Sequence, residues 1–303
     1  MKIYSVDGSV QNINMLVDVN RTQRMRCLLS FHYYGKTDIQ AMHKPLPYLM
    51  ADSGAYSAQS LGATIDINDY AQWIKTWLSL FDCYANLDVI GDSEGTLKNQ
   101  QILEDMGLKP LPVFHVNEDW KYLEHYLDKY DYVALGGLVP YQKYIKRIMP
   151  WLIKAFRMLP KGKRYHGFGT TGWTVLKSFP WYSVDSSSWC SGYRFGSVLL
   201  FSAKEEKFVS ADIGNVESCF KYRNLLEACG DSWQDFAYNS TKNSNRTLTS
   251  KELRLKVIAV SSVAMLRAEA WLEKRHSATT KIYQSRPSEE SIKSMMEVGN
   301  KYG

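Results

Sequence analysis

A short apolar strand that ends in a carboxylate is predicted at Trp181-Tyr182-Ser183-Val184-Asp185-Ser186-Ser187-Ser188-Trp189. The same pattern, an apolar run followed by an acid, occurs at Tyr48-Leu49-Met50-Ala51-Asp52-Ser53-Gly54 and at Tyr84-Ala85-Asn86-Leu87-Asp88. In a parallel α/β barrel the carboxyl ends of the strands surround one cavity, and catalytic residues collect there. The repeated pattern therefore predicts that these three acids meet at one active site.

Outward from these segments, β-rich runs alternate with amphipathic helical stretches. Such alternation predicts parallel strands joined by right-handed crossovers. Seven or eight such units predict an α/β fold of the TIM type, a (β/α)8 barrel, with a doubly wound sheet as the main alternative. The predicted strands are 27–33, 48–52, 84–90, 111–115, 132–138, 164–168 and 182–185, with an eighth at 197–201 or 208–212.

A change in pattern past about residue 213 predicts a helical extension. The strand signal fades there, and Thr249-Ser250-Lys251-Glu252 is a capping box that begins a long helix. We therefore expect a barrel domain over residues 1–212 and a helical C-terminal extension over 213–303, packed on the barrel.

Composition indicates an ordinary soluble globular protein. The chain has 303 residues, 45% hydrophobic content and a net charge of +6, which is compatible with a polyanionic partner. The five cysteines are dispersed and lack the short spacing of a metal site, which predicts reduced thiols and no metal. No apolar leader and no run of about 20 apolar residues is present, so we expect a cytoplasmic protein without membrane contact.

Nine residues are predicted to project from the strand ends into the cavity. One of them, Asp92, is favoured as the cap of the helix that follows, which leaves eight candidates. Asp185 is the strongest candidate for chemistry, because it interrupts a run otherwise suited to a buried strand. Asp52 and Ser53 are equally compatible with helix capping, and Asp88 with a buried carboxylate satisfied by backbone amides. Each glycine or histidine among them has a structural alternative, such as a tight turn or a strand cap. The eight are Asp52, Ser53, Asp88, His115, Gly136, Gly137, His166 and Asp185.

Two carboxylates at a sugar-binding site are sufficient for glycosyl transfer. One attacks the anomeric carbon to form a covalent intermediate, and the other manages protons on the leaving and entering groups. The sequence contains no recognisable Ser or Cys triad, no Walker-type phosphate loop, and no lysine at the seven strand ends for Schiff-base chemistry. The residues therefore allow glycosyl transfer without requiring it.

An ordered set of motifs resembles the tRNA-guanine transglycosylase superfamily. The motifs, which span residues 27–212, are Asp52-Ser53-Gly54-Ala55-Tyr56, Leu87-Asp88, Ala134-Leu135-Gly136-Gly137-Leu138, His166-Gly167-Phe168-Gly169 and Val184-Asp185. Within that superfamily the chain is more similar to the short phage and genomic-island enzymes that insert 7-deazaguanine bases into DNA. The resemblance implies a (β/α)8 barrel that exchanges guanine in DNA for a free 7-deazaguanine, without a cofactor.

The resemblance also implies roles for individual residues. Asp185 would be the nucleophile at C1′, Asp52 the general acid and base, and Asp88 the group that contacts the edge of the base. His115 stands where the tRNA enzymes carry a glutamine. The other residues implied to contact the substrate are Ser53, His115, Gly136, Gly137 and His166.

One departure from the tRNA enzymes favours DNA as the partner. Those enzymes carry a cysteine-rich zinc site, whereas Cys219 and Cys229 stand alone here, so no zinc subdomain is expected. The same chemistry on tRNA, or a silent nucleic-acid-binding barrel, are the alternatives. The cations predicted to hold phosphates, with solvated loop charges as the alternative, are Lys161, Lys163, Arg164 and Arg194.

Overall fold

Eight parallel strands form the central sheet of the protein. The computed structural model describes residues 1–6, 25–40, 48–141, 144–170, 172–240 and 243–283. In the sheet the strand order is β4-β3-β2-β1-β8-β7-β6-β5, and every neighbouring pair is parallel. The strands are β1 Lys2–Val6, β2 Arg26–Ser30, β3 Tyr48–Asp52, β4 Phe81–Tyr84, β5 Val113–His115, β6 Tyr132–Gly136, β7 Arg164–Gly167 and β8 Ser183–Ser186.

The sheet is strongly curled, because its two end strands approach each other. Just beyond β4 and just before β5, Ala85 and Leu111 form a parallel bridge. The Leu111 N–H donates to Tyr84 O at 2.8 Å, and the Asn86 N–H donates to Leu111 O at 2.9 Å. The prediction of an α/β fold with a TIM-like parallel sheet is confirmed at this level.

Six of the seven predicted strands occur, most of them with shifted ends, whereas the predicted strand at 84–90 shares only Tyr84 with β4, and the prediction of the eighth strand is wrong. The remaining strand of the sheet is β1, which pairs with β2 on one side and with β8 on the other. The two segments proposed for the eighth strand instead form an antiparallel hairpin, β9 Ser197–Ser202 and β10 Lys207–Asp212. Only four residues connect the two strands, which is enough for an antiparallel hairpin. A parallel pair would need a crossover connection of about a dozen or more residues.

Helices fill the connections, and aspartates cap several of them. Asp66, Asp92 and Asp119 each accept a backbone N–H in the first turn of the helix that follows, which satisfies donors that have no partner within the helix. The helices are α1 Phe31–Tyr34, α2 Ala55–Ser60, α3 Ile67–Thr76, α4 Ser93–Asp105, α5 Trp120–Lys129, α6 Ile145–Met158, α7 Trp173–Ser178, α8 Ser188–Ser191, α9 Val216–Lys221, α10 Arg223–Ala228, α11 Trp233–Tyr238 and α12 Ser250–Tyr283.

The long helix α12 joins the hairpin to the sheet. Its capping box is confirmed, since the Thr249 N–H and hydroxyl both donate to Glu252 Oε2 at 2.7 Å. Early in the helix, Leu253 and Val257 pack with the hairpin, whereas later Glu269 accepts the Ile3 N–H of β1 at 2.7 Å. The hairpin shares its hydrophobic cluster with helices beyond residue 212, and the domain division at that residue stays a prediction. No helix in the described part of the chain is long and apolar enough to cross a membrane.

Candidate active site

Three carboxylates meet at the carboxyl ends of the strands. Asp52 is the last residue of β3, Asp185 lies in β8, and Asp88 lies four residues beyond β4. Burial, together with the charges of Asp88 and Asp185, raises the pKa of Asp52 from 3.8 to about 7, against the lowering effect of two backbone N–H donors. The structure therefore brings the three predicted acids into one electrostatic environment.

The carboxyl group of Asp52 is suited to moving protons near neutral pH. Its Oδ2 accepts the Gly54 N–H at 3.0 Å, and the side chain is only partly exposed. A carboxyl group whose pKa is close to the working pH is populated in both protonation states, as a general acid and base requires. Asp52, whose pKa is shifted toward neutrality, is the same residue that the resemblance implies as the general acid and base.

Asp88 is held by side chains and not by backbone amides. Its Oδ2 lies 2.8 Å from His115 Nε2, and its Oδ1 accepts the Ser53 hydroxyl at 3.4 Å. On the other side of the imidazole, His115 Nδ1 lies 3.1 Å from Glu118 Oε1. Burial opposes a charge on His115, but hydrogen bonds to Asp88 and Glu118 and their charges raise its pKa to about 9. At neutral pH His115 is therefore an imidazolium between two carboxylates.

This arrangement changes the interpretation of two predicted binding residues and adds a third residue. Ser53 and His115 both contact Asp88, so in this geometry their polar groups are directed at that carboxylate. Sequence reasoning missed Glu118. The signal was the spacing of His115 and Glu118 across a tight turn, in which Asn117 has a φ of 74°.

The two glycines at the end of β6 have different structural roles. A Cβ on Gly136 would lie 2.6 Å from His115 Cδ2, so only glycine leaves room for the imidazole. Gly137 has a φ of 72°, which other residues rarely adopt, and it is exposed at the end of the strand. Gly136 therefore supports the histidine, whereas Gly137 is open to a ligand.

Replacing Gly136 by alanine is expected to destabilise the protein by about 1–3 kcal/mol, the usual cost of overpacking. The imidazole has no room to retreat, because carboxylates hold both of its ring nitrogens. Urea unfolding measures the loss. The matched control is Gly172→Ala, where the new methyl meets nothing closer than 3.6 Å. Equal stability of the two variants would contradict the packing argument.

His166 is buried beside Asp185. Its side chain is fully buried, with Nδ1 2.6 Å from Ser183 Oγ and Nε2 3.3 Å from Asp185 Oδ1, without a hydrogen bond at Nε2. Asp185 Oδ1 accepts the Gly169 N–H at 2.8 Å. The His166 ring has no exposed surface and lies against Asp185, so its predicted contact with a ligand stays a prediction.

The predicted phosphate-binding cations are not brought together. Arg164 is the first residue of β7, at the end of the sheet opposite the carboxylates, and its guanidinium lies 4.6 Å from the Tyr182 ring. Lys161 precedes it on the same side, and Lys163 Nζ donates to Asp128 O at 3.2 Å. Arg194 is exposed in a short 3-10 helix, Gly192–Phe195, between α8 and β9. Phosphate binding by the four cations stays a prediction.

Comparison with known proteins adds no family assignment. The chain matches no protein-family model, and no curated protein matches it in sequence. Within the described residues no group of three or more His, Cys, Asp or Glu side chains could hold a metal ion, and independence from zinc stays a prediction. The interpretation of the site consequently depends on its geometry and on the motifs quoted above.

Proposed function

We propose that the protein is a transglycosylase that exchanges guanine in DNA for a 7-deazaguanine base. The observation that carries this proposal is the grouping of Asp52, with a pKa of about 7, with the carboxylates Asp88 and Asp185. A nucleophile and a proton-transferring group at one site are what base exchange at an anomeric carbon requires. The ordered motifs that resemble the guanine transglycosylases support the same reaction.

In the first half-reaction an oxygen of Asp185 attacks C1′ of the nucleotide, and the bond from C1′ to N9 of guanine breaks. Asp52, in its protonated form, gives a proton to the departing base. The deoxyribose remains attached to Asp185 as an ester. Because Asp185 Oδ1 is engaged by the Gly169 N–H, Oδ2 is the oxygen left for attack.

In the second half-reaction the incoming base takes the place of guanine. Asp52, now ionised, accepts the proton from the ring nitrogen of the free 7-deazaguanine, and that nitrogen attacks C1′. The ester bond breaks and Asp185 regains its charge. Asp88, hydrogen-bonded to His115, accepts N–H groups from the edge of either base.

The proposal includes a fully closed (β/α)8 barrel, for which the bridge between Ala85 and Leu111 is the support. A site at the end of such a barrel lies beyond the reach of a base stacked in a duplex. The target nucleotide is therefore extruded from the helix, at a cost of a few kcal/mol. Arg194, whose side chain is exposed, is available to contact phosphates.

Incorporation of a labelled base tests the proposal. The pure protein is incubated with duplex DNA or unmodified tRNA and with radiolabelled 7-cyano-7-deazaguanine, and in parallel with labelled guanine. Guanine is included because base exchange is reversible, so it reports activity even if another 7-deazaguanine is the natural substrate. Label in DNA alone is the expected result. Label in tRNA alone would replace DNA by tRNA, and label in neither polymer would contradict base exchange and favour a silent binding protein.

A further inference from the structure

Glu118 holds His115 by two separate bonds. Its Oε2 accepts the backbone N–H of His115 at 3.0 Å, and its Oε1 lies 3.1 Å from the ring Nδ1. Both side chains are only 6% exposed, so solvent does not compete for these bonds. The single carboxylate therefore fixes the end of β5 and the orientation of the imidazole together.

The imidazole transmits this constraint to Asp88. Its Nε2 lies 2.8 Å from Asp88 Oδ2, and Gly136 lies against the Cδ2 edge of the ring. The ring cannot rotate without breaking a charged hydrogen bond on each side. Glu118, His115 and Asp88 thus form a connected series, which we call the carboxylate clamp, with Asp88 at its substrate end.

We propose that Glu118 is a positioning residue for recognition of the base, which acts by fixing His115 and, through it, the Asp88 carboxylate. This inference depends on the proposed function, because it assumes that Asp88 meets the edge of a base. It extends that function by assigning a role to a residue that does not itself touch the substrate. Preorganised acceptors bind more tightly than mobile ones, because less freedom is lost on binding.

The charges around the clamp are consistent with a fixed imidazolium. Asp88 and Glu118 act directly on His115, and Asp52 lies beyond Asp88. From the packed helices, Tyr70 of α3 and Tyr126 of α5 face these carboxylates. Burial, together with the nearby carboxylate charges, holds the pKa of both phenols above its ordinary value, so they stay neutral.

The variant Glu118→Gln keeps the size of the side chain and removes its charge. We expect its Kd for free guanine or 7-cyano-7-deazaguanine to rise roughly tenfold or more, the effect of a lost hydrogen bond to a charged group. KM for the free base rises similarly, while kcat changes less, because Asp185 and Asp52 are untouched. The pH at which His115 titrates falls by about one unit or more, since one of its two anionic partners is gone. The matched control is Glu124→Gln, the same change at an exposed position of α5.

Three measurements test the role of Glu118. They are an NMR titration of the His115 ring, calorimetric titration with the free base, and steady-state kinetics of base exchange. The His115 resonance is assigned by its absence in a His115→Gln variant. A shifted titration with weakened base binding supports the clamp. An unchanged titration, or unchanged base affinity despite a shifted titration, overturns it while leaving base exchange in place. Equal losses in kcat and in the folded fraction would indicate a merely structural role and also overturn it. Failure of the wild-type chain to bind either base would overturn the clamp's role and the proposed function together.

Discussion

Replacing Asp185 by asparagine is expected to lower base exchange by roughly 10⁴-fold or more, as for the loss of other enzymatic nucleophiles. An amide does not form the ester with C1′ that the proposed reaction needs. The fold is retained, because the asparagine carbonyl still accepts the Gly169 N–H and the volume of the side chain is unchanged. The loss is therefore a loss of chemistry.

The matched control is Asp131→Asn. Asp131 has an 81% exposed side chain and lies just before β6, at the opposite end of the sheet. Single-turnover exchange and circular dichroism are measured for the wild type and both variants. Exchange by Asp185→Asn within tenfold of the wild type, with an intact spectrum, would exclude Asp185 as the nucleophile.

Replacing Asp52 by asparagine is expected to lower exchange by about 10²–10⁴-fold, the usual contribution of general acid–base catalysis. The same change is expected to stabilise the protein above pH 7. The folded-state pKa of about 7 exceeds the ordinary value of 3.8, so the folded chain binds a proton that the unfolded chain has already released. The free energy of unfolding therefore falls as the pH rises between these values, by up to about 4 kcal/mol in total.

Urea unfolding at pH 4 and pH 8 measures this effect. Asparagine at position 52 does not titrate, so the variant should gain stability relative to the wild type on going from pH 4 to pH 8. Asp131→Asn should follow the wild type at both values. A parallel pH dependence for the wild type and Asp52→Asn would show that Asp52 has an ordinary pKa, and proton transfer would need another group.

The positions of the acids could be predicted from the sequence, because each follows an apolar run of strand length. Strand β1 was not predicted, since Lys2–Val6 mixes polar with apolar residues. The hairpin strand β9 was mistaken for a barrel strand because it is equally apolar. Its partner is β10, and the signal for this pairing is the connection of only four residues between the two strands.

The contacts within the site were less accessible to sequence reasoning. The pKa of Asp52 depends on burial and on two other carboxylates that are remote in the chain. The orientation of His115 depends on Glu118. Glu118 lies in the turn after β5, and a prediction that considers only residues at strand ends does not include it. Arg164 is close in sequence to the candidate site but is the first residue of β7, at the amino end of the strand. The carboxylates lie at the carboxyl ends, so the direction of the strand, and not closeness in the chain, separates Arg164 from them.

Detection of the covalent intermediate tests the central claim most directly. The protein is incubated with a guanine-containing DNA substrate in the absence of a free base, quenched with acid, digested, and analysed by mass spectrometry. The account predicts a peptide whose mass is increased by the DNA fragment without its guanine, with the attachment at Asp185. Exchange of labelled guanine without any such adduct, or an adduct on another residue, would contradict it.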